Sequence, residues 1–148
     1  MNQSNAGSPV EILLVEDNQN DAKLTRELLL EDRLQNNLVI VDDGVEALAY
    51  LRAMGEYRGR TLPDIILLDL NLPKKDGREV LAEIKTDSKL RHIPVIILTS
   101  SRAEEDILKA YNLNVSSYII KPVNLDKFVR ALRNIDGFWL NVVKVPAV

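Results

Sequence analysis

Short, almost wholly apolar runs alternate along this chain with longer segments whose apolar positions recur every three or four residues. The first run, EILLVED at residues 11–17, ends in two acids. The segment behind it carries Leu24, Leu28 and Leu29 at helical spacing, with Asn18 and Asp21 spaced to cap the helix start. The scheme repeats in NLVIVDDGVEALAYLRAMG: a β-branched run from Val39 to Val41, a turn from Asp42 to Gly44, a helix on Val45, Leu48 and Leu51, and Gly55 as a stop. After the polar EYRGRTLP, DIILLDL reads as a fully apolar strand. DGREVLAEIKTD then reads as a helix with Val80, Leu81 and Ile84 inside and a capping box of Asp76 and Glu79. IPVIILTS is a fourth strand and SSYII a short fifth. Between them SRAEEDILKAYN predicts a helix capped by Ser101 and Glu104, and after them NLDKFVRALRNI predicts one with Leu125, Phe128 and Leu132 aligned.

Strands apolar on both faces that alternate with helices imply a parallel sheet covered on both sides and joined by right-handed crossovers. The expected fold class is therefore α/β, a doubly wound five-stranded sheet. A length of 148 residues suits one domain. The expected organisation is a flexible tail over 1–9, the domain over 10–136 and an extension over 137–148.

Composition narrows the chemistry. With a formal net charge of −3 and scattered lysines, no basic face is offered to nucleic acid or anionic lipid. The absence of cysteine excludes disulfides, thiolate nucleophiles and Cys-based metal sites, and the single His92 cannot build a His-rich one. The opening MNQSNAGSPV lacks the features of a signal peptide, and no apolar run approaches the ~20 residues that span a bilayer. A cytoplasmic protein is expected.

In doubly wound folds ligands gather beyond the carboxyl ends of the strands. Here those ends carry Glu16 and Asp17, Asp69, Thr99 and Lys121. Three acids held together repel unless a cation neutralises them, and oxygen-only ligands favour a hard ion, most simply Mg²⁺. A carboxylate beside such an ion can attack phosphorus, with Thr99 and Lys121 to hold the phosphoryl oxygens.

This set resembles the receiver domains of bacterial response regulators over residues 10–135, and LLDLNLPKKDGREVLAEIK with the terminal FWLNVVKVP further resembles the small regulators that partner cyanobacterial phytochrome histidine kinases. The resemblance implies a flavodoxin-like (βα)5 fold with strand order 2-1-3-4-5. It makes Asp69 the phospho-acceptor, Asp17 a direct Mg²⁺ ligand, Glu16 an acid acting largely through water, and the backbone carbonyl of Asn71 a further ligand. Mn²⁺ or another hard divalent cation could replace Mg²⁺. Thr99 and Tyr118 become the switch pair, and Lys121–Pro122 a peptide bond that is commonly cis in the family. A sensor histidine kinase, phytochrome-like, is the implied partner, and the protein is a phospho-accepting signalling protein rather than an enzyme.

Simpler readings stand beside these. Asp17 can open a helix, Asp69 can bond a neighbouring loop, Thr99 can cap, Lys121 can lie along the surface, Tyr118 can be packing and His92 an ordinary loop residue. Lys74 and Lys75 read as a solvated surface with a lesser claim on a kinase contact. Two other functions stay open: an aspartate-nucleophile phosphohydrolase, disfavoured because Asn71 stands where its general acid belongs, and a phosphorylation-independent scaffold. With no effector domain expected after the last helix, the signal must leave through a partner. Phe128, Leu132, Ile135, Trp139 and Val142 recur at spacings of 4, 3, 4 and 3. This stripe predicts a homodimer through the last helix and its extension, with Phe128, Leu132, Phe138 and Trp139 at the interface. The alternative is a helix packed back on its own core.

Overall fold

The computed structural model describes residues 9–31, 35–100 and 117–133. Within them lie five strands, β1 (Val10–Val15), β2 (Asn36–Val41), β3 (Ile65–Asp69), β4 (Val95–Thr99) and β5 (Ser117–Ile120). Four α-helices accompany them, α1 (Gln19–Glu31), α2 (Gly44–Leu51), α3 (Gly77–Thr86) and α4 (Leu125–Arg133), with a short 3₁₀ turn at Gly55–Tyr57. The expected helix after Ser101 and the extension over 137–148 fall outside the described residues.

All five strands are parallel in the order β2-β1-β3-β4-β5, the doubly wound sheet that the alternation predicts. The pairs Val15↔Leu68, Asp69↔Leu98 and Thr99↔Ile120 bring the carboxyl ends of β1, β3, β4 and β5 level with one another. Because successive side chains of a strand point to opposite faces, each continuous apolar run serves two cores. Leu13, Val15, Ile66, Leu68 and Ile97 pack under α2 and α3 with Leu48, Leu51, Val80, Leu81 and Ile84. Ile12, Leu14, Ile65, Leu67 and Leu98 pack under α1 and α4 with Ala22, Leu29, Phe128 and Leu132.

Each of these four α-helices opens on an Asn or Asp whose carboxyl or amide oxygen accepts a backbone N–H. Asn18 receives Asp21 at 2.9 Å, Asp43 receives Glu46 at 2.8 Å, Asp76 receives Arg78 at 2.7 Å and Asn124 receives Lys127 at 2.9 Å. At α3 the capping box is complete, since Glu79 Oε1 accepts the Asp76 N–H at 3.1 Å. Gly55 is not the stop of α2. That helix ends at Leu51, Ala53 takes the left-handed conformation at φ 53°, and the Met54 N–H closes back on the Ala49 carbonyl at 2.9 Å.

Five apolar positions depart from expectation. Leu24, Val45 and Leu125 are about half exposed although each lies at helical spacing from buried neighbours, because smaller residues such as Ala22, Thr25 and Ala47 take the inward arcs. Phe128 and Leu132 are 0% and 2% exposed and lie within the core beneath β5. They are therefore not an interface; the alternative, a helix packed on its own core, holds for them. Phe138 and Trp139 lie outside the described residues.

Candidate functional site

The carboxyl edge of the sheet gathers side chains from three strand ends. Glu16 continues the β1 ladder, its N–H bonded to the Val41 carbonyl at 2.9 Å, and its side chain is buried while Asp17 beside it is exposed. Asp69 closes β3 and is 4% exposed, a buried carboxylate at the rim of a buried strand. One of its oxygens, Oδ1, accepts the Asn71 N–H at 3.0 Å, and the other accepts Lys121 Nζ at 2.8 Å. Lys121 follows β5 directly, and its N–H is bonded to the Thr99 carbonyl at 2.8 Å, which ties the ends of β4 and β5 together. The Lys121–Pro122 bond is cis. Lys127, in the first turn of α4, donates its ammonium to the carbonyls of Ile120 at 2.8 Å and Pro122 at 3.1 Å and so fixes the segment that carries Lys121.

The loop from β3 to α3 is held from both sides. The Gly77 N–H donates to the Leu70 carbonyl at 3.0 Å, and a Cβ on Gly77 would stand 2.4 Å from the Asp69 carbonyl oxygen, a distance only glycine permits. Gly44 plays the same part from α2, where a Cβ would meet the Lys75 carbonyl oxygen at 2.1 Å. Lys74 pairs with the buried Asp43 at 3.4 Å, and Lys75 is ion-paired to Glu83, so both lysines have partners within the chain.

Lys121 sits at the electrostatic centre. Its Nζ is 2.8 Å from Glu16, 2.8 Å from Asp69 and 3.0 Å from Asp21. Burial alone would lower its pKa, but the hydrogen bonds it donates to Asp69, Glu16 and Asp21 outweigh that and hold it above the ordinary lysine value. Glu16 is pushed up to about 8, first by burial and then by its hydrogen bond with the Asp69 carboxyl, against the opposing pull of Lys121. A buried acid crowded by a second carboxyl group in this way is one that added positive charge would ionise.

A hard cation would supply that charge. Carboxylate oxygens of Glu16, Asp17 and Asp69 all lie within 4.8 Å of one another, a spacing that one small ion with oxygen ligands can bridge. Thr99 is fully buried at the end of β4. Tyr118 is half-buried and packs against the core under α2 and α3. His92 is an exposed loop residue, as the sequence suggests.

Of the residues expected at the site, Glu16, Asp17, Asp69, Asn71 and Lys121 come together, with Thr99 on the adjoining strand end. The sequence marks Asp21 only as a capping neighbour, yet it reaches Lys121 across 100 positions of sequence. The available signal was its place one helical turn after Asp17, on the edge of α1 nearest the strand tips.

A parallel five-stranded sheet with this acidic pocket and lysine defines a receiver domain of two-component signalling. The chain belongs to the response regulator receiver domain family, whose model matches residues 12–133. It is similar to the response regulator Rcp1 of Synechocystis sp., with 47% identity covering 94% of this chain and 95% of that protein. Among solved structures, the Mn²⁺-bound form of Rcp1 aligns with a TM-score of 0.74 at 47% identity over 94% of this chain and all of that one. The phosphorylated cyanobacterial phytochrome response regulator RcpA aligns with a TM-score of 0.75 at 48% identity, covering 95% of this chain and 100% of its own. Receiver domains bind Mg²⁺ at an acidic pocket, and here that pocket is Glu16, Asp17 and Asp69. Such regulators are signalling proteins whose partner is a histidine kinase, not enzymes in the ordinary sense. Among the described residues no helix is long and apolar enough to cross a membrane.

Proposed function

We propose that this chain is a response regulator that accepts a phosphoryl group on Asp69 from the phosphohistidine of a partner kinase of the phytochrome class. The observation that carries the reading is the setting of Asp69. It is a nearly buried carboxylate held between the Asn71 N–H and the Lys121 ammonium, with Glu16 and Asp17 beside it. Fixed orientation of a nucleophile is what transfer to phosphorus requires.

In this reading Glu16, Asp17, Asp69 and the Asn71 carbonyl hold Mg²⁺, which when bound neutralises charge on the transferring group. Lys121 and the Thr99 hydroxyl hold the phosphoryl oxygens. The group adds about −2 of charge and three acceptor oxygens. Hydrogen bonds to charged groups are worth ~1.5–3 kcal/mol each, so two or three of them can supply the ~5.5 kcal/mol that inverts a 1:99 equilibrium. Thr99 drawn toward the phosphoryl group would leave space that Tyr118 turns inward to fill, which changes the β4–β5 face. The phytochrome class of kinase is supported by the similarity to Rcp1 and RcpA. The functional unit is 10–136, and a homodimer is assigned to the extension with Phe138 and Trp139.

The test is incubation with Mg²⁺ and acetyl phosphate, read by intact mass. The wild type is expected to gain one phosphoryl group and Asp69→Asn none; equal gain in both would place the acceptor elsewhere.

A further inference from the structure

Lys121 has one partner more than the phosphoryl-transfer reading uses. The Lys121 ammonium donates to Asp69 at 2.8 Å and Asp21 at 3.0 Å and lies 2.8 Å from Glu16, so three carboxyl groups share its three N–H donors. Two of these acids belong to the buried pocket, their side chains 1% and 6% exposed. Asp21 differs from both. It stands in the first turn of α1 with its side chain 36% exposed, on the rim of a recess that it shares with Leu24, Pro122 and Val123. Its N–H is bonded to Asn18 Oδ1 at 2.9 Å, so the helix start sets its place.

A phosphoryl group arriving at Asp69 needs an ammonium donor that is already committed. In transfer from acetyl phosphate, an Asp69 carboxylate oxygen attacks phosphorus, the bond from phosphorus to the acetyl oxygen breaks, and acetate leaves with the electron pair. The carboxylate becomes an acyl phosphate, and its negative charge moves outward onto the phosphoryl oxygens. Lys121 must follow that charge. Releasing Glu16 would take the ammonium from a side chain only 1% exposed, where water cannot replace it, which is the costly choice. Releasing Asp21 returns a water-accessible carboxylate to solvent, at little cost.

We propose that Asp21 is a positioning residue which holds the Lys121 ammonium in wait, and that the arriving phosphoryl group displaces the Asp21 carboxylate in preference to that of Glu16. The proposal rests on the phospho-acceptor reading of Asp69. Its consequence is that Asp21 acts as a brake: part of the attraction of Lys121 for the incoming group is spent on breaking an existing ion pair.

The initial rate of phosphorylation by acetyl phosphate with Mg²⁺, read by intact mass, tests this in wild type, Asp21→Asn and Asp21→Ser. Both neutral variants should react about fivefold faster, the worth of one partly exposed ion pair. Two variants are used because Ser keeps good helix-start chemistry should Asn disturb the fold. The same substitutions are then made in a Lys121→Met background, where uptake is expected to be slower and is followed over long incubation. There the gain should vanish, because the brake acts through Lys121. A change in helix stability, or simple repulsion between Asp21 and the anionic donor, would instead give the same gain in both backgrounds and overturn the proposal. So would neutral variants that react at or below the wild-type rate. A wild type that takes up no phosphoryl group defeats the phospho-acceptor reading itself, and this proposal with it.

Discussion

Glu16 is where the burial of the pocket's acids becomes measurable. Its pKa in the folded chain is about 8 against an ordinary 4.5, chiefly because the carboxylate is buried. A folded-state pKa above the unfolded one means that the native chain holds a proton that the unfolded chain has already lost across that interval. The contribution of Glu16 is thus fully present below 4.5 and lost as the pH rises through about 8. In EDTA, the urea midpoint should therefore fall over this window by more in the wild type than in Glu16→Gln. Adding Mg²⁺ should raise the midpoint most at the upper end, and its uptake near neutral pH should release protons, read as a dependence of the calorimetric heat on buffer ionisation enthalpy. Equal slopes for wild type and Glu16→Gln would show that burial does not hold the proton there. At this scale the sequence was informative: acids at strand tips are visible as charges that end apolar runs. What it did not reveal was Asp21, because a contact between residues 100 positions apart depends on how α1 leans over the sheet.

At the scale of elements, the placement of Asp69 depends on the approach of α3 to the end of β3. The helix begins at Gly77, whose missing Cβ leaves room for the Asp69 and Leu70 carbonyl oxygens, 2.4 and 2.8 Å from where that carbon would stand. Backbone cannot yield as a side-chain tip does, so Gly77→Ala must push α3 and the strand end apart. A cost of roughly 1–3 kcal/mol is expected for such overpacking. The more telling result is functional: the displaced strand end should weaken Mg²⁺ binding and slow phosphoryl uptake. Asp76→Ala is the comparison. It removes the N-cap and costs ~1 kcal/mol of helix stability, yet leaves the glycine contact intact and should change Mg²⁺ affinity far less. Comparable losses of Mg²⁺ affinity in the two would mean that helix stability, not the close approach, positions Asp69. The capping box itself was legible from Asp76 and Glu79, since it is a matter of local spacing. The half-exposed Leu24, Val45 and Leu125 were not, because helical periodicity identifies a stripe without saying where the sheet stops covering it. The end of α2 escaped for a related reason: Ala53 adopts the backbone conformation for which Gly55 was the obvious candidate.

For the whole molecule, the question is how one chain divides its apolar residues between its own core and other surfaces. Alternating runs reveal that a doubly wound sheet exists, but the order β2-β1-β3-β4-β5 follows from the family resemblance, since periodicity carries no pairing information. The same blindness joined Phe128, Leu132 and Trp139 into one stripe. Of that stripe, Phe128 and Leu132 lie at 0% and 2% exposure beneath the sheet, among Ile119, Leu98 and Ala131, and Trp139 lies outside the described residues. Removing a fully buried aromatic side chain leaves a cavity as well as lost transfer energy, so Phe128→Ala should cost about 3–5 kcal/mol whatever the protein concentration. Trp139→Ala, in the extension proposed to carry a dimer contact, should leave the unfolding midpoint of the dilute protein close to wild type and shift sedimentation at high concentration toward monomer. The two variants then separate along independent axes, one moving stability and the other association. If Phe128→Ala weakens association at protein concentrations where it remains folded, or if Trp139→Ala lowers the midpoint of the dilute protein as far as Phe128→Ala does, core and interface are not divided between α4 and the extension.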